Sequence, residues 1–316
     1  MQPLVSVVIP THNRAEFLRS AIDSALAQEG GPLRDPDALE VIVVDDLSSD
    51  HTPAVVAGYR DAIKALRNSE NLERGASRNR GAVAARGKWL AFLDSDDEWE
   101  SDKLDAQLAA LGEAEASVTG YWLTDEEGGL LGTSPPTAAD PGACIELFNP
   151  YHAAPSSLLI DRALFLSLGG FVEDRALQGS EDWLFMTNLV RSGCEPVVID
   201  RPLVRYRRHD GNSTANPAGY LAGQLAAVNW MLANGLSSPE RHRQAFALTY
   251  ESAARAHLLR GELRRGTECL RLAAEALSAL ERTQLLGRTA RAAALWGARR
   301  ARNGARIYRR SQRAQG

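Results

Sequence analysis

Three short apolar runs end in the residues best able to do chemistry. The first ends in Pro10-Thr11-His12-Asn13-Arg14, the second in Asp45-Asp46, and Trp89–Leu93 ends in Asp94-Ser95-Asp96-Asp97. Asp45 and Asp46 can accept hydrogen bonds from the N–H groups of a base or the hydroxyls of a ribose. Thr11, Asn13 and Arg14 are placed to border the same nucleotide, with a capping role as the competing reading for Thr11 and Asn13. Asp94, Asp96 and Asp97 form a hard, oxygen-only cluster that suits a divalent metal such as Mg2+ or Mn2+. Three like charges this close repel unless neutralised, as a divalent cation with a diphosphate would do. A base-binding acid plus a metal-binding acid points to a nucleoside diphosphate bridged by a cation. Arg74 and Arg78 lie four apart on one helical face, and guanidinium groups suit diphosphate recognition.

Those groups need a scaffold that brings them to one edge. Each run is short, β-branched and continuous, as a strand buried on both faces of a parallel sheet should be. In open α/β sheets ligands bind beyond the carboxyl ends of the strands. Helical spacing of Phe17, Leu18, Ala21, Ile22, Ala25 and Leu26 predicts a helix from Arg14 to about Gln28. Further helices are expected from Asp50 or Thr52, over Gly75–Ala85, Asp161–Leu168 and Ser180–Arg191. Strands are expected near Glu70 and at Val118–Leu123, Ser156–Ile160, Val197–Asp200 and Leu203–His209, with a turn at Asp125–Gly129. This alternation implies an α/β fold with a mostly parallel sheet and right-handed crossovers. From Pro217 onward the composition is almost wholly helical, and 241–260 with 262–280 suggest an αα-hairpin.

Val5–Arg14, Val43–Asp50, Leu93–Asp97, the Asn71–Gly87 segment with Arg78 and Asn79, Gly169-Gly170-Phe171 and Ser180-Glu181-Asp182 together resemble family 2 glycosyltransferases. The likeness runs from about residue 3 to 214. The resemblance implies an inverting enzyme of GT-A fold over residues 1–215, with residues 216–316 as a helical extension. It also implies a nucleoside diphosphate sugar donor, with UDP favoured, and a glycan or lipid-linked glycan acceptor. On the family's pattern Asp46 recognises the base. Pro10, Thr11, Asn13, Arg14, Asp45, Arg78, Asn79, Asp94 and Ser95 line the nucleotide sugar. Asp96, with His209, falls to the metal, and Asp182 is the catalytic base with Glu181 as its competitor. Ser180 reads as an N-cap, which would put Asp182 in the first helical turn, where the dipole should keep it ionised.

Other classes lose support. There is no G-x-G-x-x-G after the first strand and no G-x-x-x-x-G-K-[ST] anywhere, which removes the main signal for a dinucleotide or P-loop enzyme. A sugar-1-phosphate nucleotidyltransferase would want a Gly-rich, Arg-containing loop where Pro10–Arg14 stands. A catalytically dead scaffold that binds nucleotide sugar or partners another glycosyltransferase is the rival from a different class. Cys144, Cys194 and Cys269 are odd in number and widely spaced, as expected in a reducing compartment. No apolar stretch reaches the ~18–20 residues that span a bilayer, and Met1 leads almost at once into a strand, so a cytoplasmic protein is expected. The net charge of −4 hides an asymmetry: residues 282–316 hold ten arginines and no acid. Such a tail is read as a contact for an anionic membrane surface rather than for nucleic acid, making the protein peripheral at the inner face of the cell membrane.

Overall fold

The structure is a computed structural model that describes residues 3–59, 61–134, 154–212 and 217–277. Its chain divides into two compact units, residues 1–245 and 246–316. In the first unit four parallel strands form the heart of the sheet: β3 (Lys64–Arg67), β2 (Leu39–Asp45), β1 (Val5–Thr11) and β4 (Trp89–Phe92), in that spatial order. The sheet continues through β8 (Leu159–Asp161), β6 (Ala116–Thr124), β9 (Val197–Arg207) and β5 (Glu98–Trp99), with β7 (Leu130–Ser134) hairpinned onto β6. β8 runs antiparallel to both neighbours, whereas β6 and β9 are parallel.

Two cores explain why the strands read as unbroken apolar runs. Val5, Val7 and Ile9 of β1, Val41 and Val43 of β2, and Trp89 and Ala91 of β4 face one core, with α1 (Ala15–Leu26) laid over it. Val8, Ile42, Val44, Leu90 and Phe92 face the other. There they meet α3 (Glu73–Ala84), α5 (Arg162–Ser167) and α6 (Glu181–Arg191), and a cluster of Phe92, Phe165, Phe171 and Phe185. Alternate side chains thus serve opposite faces, and both are apolar apart from buried polar pairs such as Ser6–Glu40. α3 sits close on the sheet because residue 81 is glycine; a Cβ there would collide with the Val8 side chain and come within 3.2 Å of Val44.

The elements follow the sequence expectations with shifts at their ends. The strand expected near Glu70 lies earlier, at Lys64–Arg67, and the Ser156–Ile160 strand is instead a 3-10 turn, Pro155–Ser157, followed by β8. The two strands expected on either side of residues 201–202 are one, β9. Pro202 pairs with Gly120, and the register shifts at Thr119/Gly120 and Gly120/Tyr121 pass over Asp200, Arg201 and Leu203, so the proline does not end the strand. α2 (Thr52–Gly58) and α4 (Lys103–Ala110) complete the crossovers, and α7 (Pro217–Ala233) follows β9. α8 (Pro239–Leu259), most of which belongs to the second unit, and α9 (Leu263–Ala276) turn at Gly261, whose φ of +79° suits glycine. Ala247 packs there with Ala273 and Leu277. No helix among the described residues is long and apolar enough to cross a membrane. The arginine-rich 282–316 segment and Cys144 lie outside the described residues.

Candidate active site

At the carboxyl end of β2 the two acids hold the surrounding loops. Asp45 accepts the Ser48 amide at 2.9 Å and the Arg67 guanidinium at 2.6 Å. Asp46 accepts Asn68 Nδ2 at 2.6 Å, the Leu72 amide at 2.8 Å and the Glu73 amide at 2.9 Å, so it ties the end of β2 to the start of α3. These bonds leave Asp46 Oδ2 with one partner and spare acceptor capacity for a base. Asn13 takes a left-handed backbone (φ +50°), and its side-chain oxygen accepts the Ser49 amide at 2.8 Å. Its own amide bonds Ser48 Oγ at 2.9 Å, so Asn13 stitches the β1–α1 loop to the β2–α2 loop. His12 adds a further tie through Nδ1 to the Asp46 carbonyl at 2.7 Å. Pro10 and Thr11 are buried at the end of β1 beside Val44 and Asp45, and Thr11 Oγ1 is buried with no partner among the described residues.

The β4 acids do not face one another as a bare cluster. Asp94 and Asp96 each meet a basic side chain, while Asp97 is held by a hydroxyl and a backbone amide. Asp94 takes Arg78 Nη2 at 2.5 Å. Ser95 is buried in the same turn. Asp97 turns inward to Ser156 Oγ at 2.7 Å and the Arg207 amide at 3.2 Å; burial, then the charges of Asp96 and Asp94, push its carboxyl well above the usual range. Asp96 meets His209 Nε2 at 2.9 Å, with Arg14 Nε at 3.7 Å. Burial pushes Asp96 up, but the His209 hydrogen bond and the charges of Arg14 and His209 bring it below the ordinary value. The strand-end histidine is therefore at the site, its ring tilted against Phe17 with the centroids 4.9 Å apart.

Asp96 and His209 offer a carboxylate and an imidazole on one side of the strand end, a donor set that fits a manganese-like cation. No group of three His, Cys, Asp or Glu side chains able to hold a metal is gathered among the described residues. The remaining ligands would therefore be diphosphate oxygens and water, as is usual for hard cations at phosphates. The Gly211 amide donates to His209 Nδ1 at 3.1 Å, which puts the ring proton on Nε2 facing Asp96. Metal binding through Nε2 requires that proton to leave.

Behind the strand ends lies a buried ion network. Arg78, 2% exposed, donates Nη1 to Glu181 at 2.8 Å and Nη2 to Asp94, and lies 5.3 Å from the Phe171 ring centroid. Burial works against its charge, but Asp94 and Glu181 more than offset that and hold the proton firmly. The guanidinium faces these acids rather than an open diphosphate site; Arg14 and Arg74, with side chains 29% and 40% exposed, are the cations with outward reach. Asn79 likewise spends its amide on the Phe171 backbone, at 2.8 and 2.9 Å, and on Glu173, which fixes the Gly169-Gly170-Phe171 turn.

Glu181 and Asp182 differ in their partners. Glu181 is buried against Arg78, and its other oxygen accepts the Gly179 amide at 2.5 Å. Asp182 is only partly buried, and its one hydrogen bond among the described residues comes from the Trp183 amide at 2.7 Å. Burial, then the neighbouring Glu181 charge, push Asp182 up to about 7. The helix-dipole expectation of a fully ionised carboxylate is therefore overturned by desolvation and a like charge. Ser180 occupies the N-cap position, but its side chain does not cap; it accepts Gln224 Nε2 from α7 at 2.9 Å. Sequence reasoning missed Arg67, Asn68 and Ser156, polar residues whose partners lie on other elements.

Residues 6–171 match the family model for glycosyl transferase family 2. The chain belongs to that family. It is 41% identical over 117 residues to the Rhizobium meliloti (strain 1021) succinoglycan biosynthesis protein ExoO, covering 37% of this chain and 32% of that one. With the Bacillus subtilis (strain 168) glycosyltransferase TuaG, named for teichuronic acid biosynthesis, it shares 35% over 232 residues, 68% of this chain and 83% of TuaG. The Escherichia coli UDP-Glc:alpha-D-GlcNAc-diphosphoundecaprenol beta-1,3-glucosyltransferase WfaP is 26% identical over 67% of this chain and 80% of its own length. Among solved structures, the mannosyltransferase PcManGT from Pyrobaculum calidifontis, in complex with GDP-Man and Mn2+, superimposes with a TM-score of 0.60 over 93% of this chain and 81% of that one. At 19% identity that likeness speaks to the fold, which is GT-A.

Proposed function

We propose that this chain moves a sugar from a nucleoside diphosphate sugar, with UDP as the favoured carrier, to a hydroxyl of a glycan or lipid-linked glycan, inverting the anomeric centre. The observation that carries the reading is Asp182: a carboxyl raised to about 7, with one hydrogen bond, beside a second acid already committed to Arg78. A base tuned near neutrality is what proton abstraction from a hydroxyl needs. Asp182 takes the acceptor's proton as the acceptor oxygen forms its bond to the anomeric carbon. The bond from that carbon to the diphosphate oxygen breaks, and its electron pair leaves with the nucleoside diphosphate. Attack from the face opposite the diphosphate inverts the centre.

Asp46, Thr11 and Pro10 would border the base and ribose, with Asp45 and Asn13 shaping their loops. Asp94 and Ser95 would lie beside the donor, and Arg14 at the diphosphate. Arg78 acts through the two acids it bridges, and Asn79 through the turn at Phe171. Asp96 and His209 would hold a divalent cation, which when bound neutralises the diphosphate and polarises its departing oxygen. The names of ExoO, TuaG and WfaP support a polysaccharide or lipid-linked product, and the WfaP name a UDP carrier. Residues 1–215 would form the catalytic domain. The arginine-rich tail would bring it to an anionic membrane from the cytoplasmic side.

The test is nucleoside diphosphate release from a panel of UDP-glucose, UDP-GlcNAc, UDP-galactose and GDP-mannose, with Mn2+, Mg2+ or EDTA. Release from one donor, lost with EDTA and in Asp96→Ala, is expected. Silence together with no calorimetric binding of any nucleoside diphosphate in the presence of Mn2+ would overturn the reading in favour of a scaffold.

A further inference from the structure

α7 lies beyond the stretch matched by the family model, yet it docks on the residues that lead into the helix of the proposed base. At Gly223 a Cβ would stand 3.3 Å from the Gln178 carbonyl and 3.7 Å from Ser180 Oγ, so glycine lets the helix lie against the entry to α6. One residue on, Gln224 grips Ser180 at 2.9 Å, and Asp182 is two residues beyond Ser180. Tyr220 precedes Gly223 and Gln224 by three and four residues and so shares their helix face. It keeps 40% of its surface exposed, and no hydrogen bond joins it to Asp182.

We propose that Tyr220 is a positioning residue for the attacking hydroxyl, its phenol and the Asp182 carboxylate bracketing the oxygen that attacks the sugar. The inference rests on Asp182 as the base. Burial, then the charge of Asp182 and the phenol of Tyr121, push the Tyr220 phenol up, so it stays protonated and can donate to that oxygen while Asp182 accepts its proton. A half-exposed polar aromatic at this point also offers a flat face to an acceptor sugar. Water, the smallest acceptor, would be held by the same pair, so donor hydrolysis reports on the role without a known glycan.

The experiment compares wild type, Tyr220→Phe, Tyr220→Ala and Asp182→Asn for release from the same four donors with Mn2+. Tyr220→Phe is expected to lower kcat about fivefold to tenfold, the worth of one neutral hydrogen bond, with the donor KM and the thermal midpoint unchanged. Tyr220→Ala should lower kcat further, again at constant KM. Wild-type kcat in Tyr220→Phe, or a fall matched by a rise in donor KM, would overturn the inference and leave the base standing. Full activity in Asp182→Asn, or no turnover by the wild-type chain, would remove the base reading itself and the inference with it.

Discussion

Asp46 and Asp182 both stand at the start of a helix, and they live under opposite conditions. Asp46 collects three hydrogen bonds at the entrance to α3, two of them from backbone amides. Asp182, in the first turn of α6, receives one, beside the charged Glu181, and is raised to about 7. The helix dipole favours an anion in both places. What separates them is how many donors reach the carboxylate and which charge lies next to it. One acid holds a loop in shape; the other is left basic enough to move a proton.

The sharpest way to break this contrast is to neutralise each acid in turn. Asp182→Asn should lower donor turnover by about 10²–10⁴-fold, the usual worth of a general base. It should also leave folding intact. The carboxyl's native value is raised above its unfolded one, so the native state holds the proton more tightly, and stability falls as pH rises from about 4 to 7. Asp182→Asn, which cannot ionise, should therefore melt higher than wild type at pH 8 and show the smallest difference at pH 4.

Arg78→Ala comes next in size and acts on folding. It strands Glu181 as an uncompensated buried charge, and denaturant titration should show a loss of about 3–5 kcal/mol. Asp46→Ala should cost about 2–3 kcal/mol by the same measurement, through the orphaned Leu72 and Glu73 amides. It should also speed hydrogen exchange more at the start of α3 than at its end. The smallest effect belongs to Gly81→Ala. Crowding against Val8 is partly offset by better helix propensity, for a net loss of about 1 kcal/mol.

The same contrast explains what the chain disclosed before folding. β1, β2 and β4 were legible because burial on both faces demands continuous apolar residues, and their acidic ends followed at once. Partners far apart in sequence were not. Arg78 reads as a diphosphate ligand until Glu181, 103 residues away, claims it. Asn79, expected to line the nucleotide sugar, bonds the backbone of Phe171, 92 residues on. Pro202 reads as a strand end, yet it pairs with Gly120 of the neighbouring strand, and the register shifts fall to either side of that pair. The crowded acids of β4 suggested a cation by repulsion alone, whereas Arg78, His209 and Ser156 come from three other segments to meet them. Tyr220 carries no motif, and only the docking of α7 on Ser180 shows which way its helix face lies.

The most direct test of the central claim is the pH dependence of nucleoside diphosphate release by wild type and Asp182→Asn. A rate that rises with pH through a midpoint of about 7, and a variant that stays low and flat, is the predicted result. A wild-type profile with no inflection between pH 5 and 9, or an Asp182→Asn profile that matches it, would contradict the assignment of Asp182 as the base.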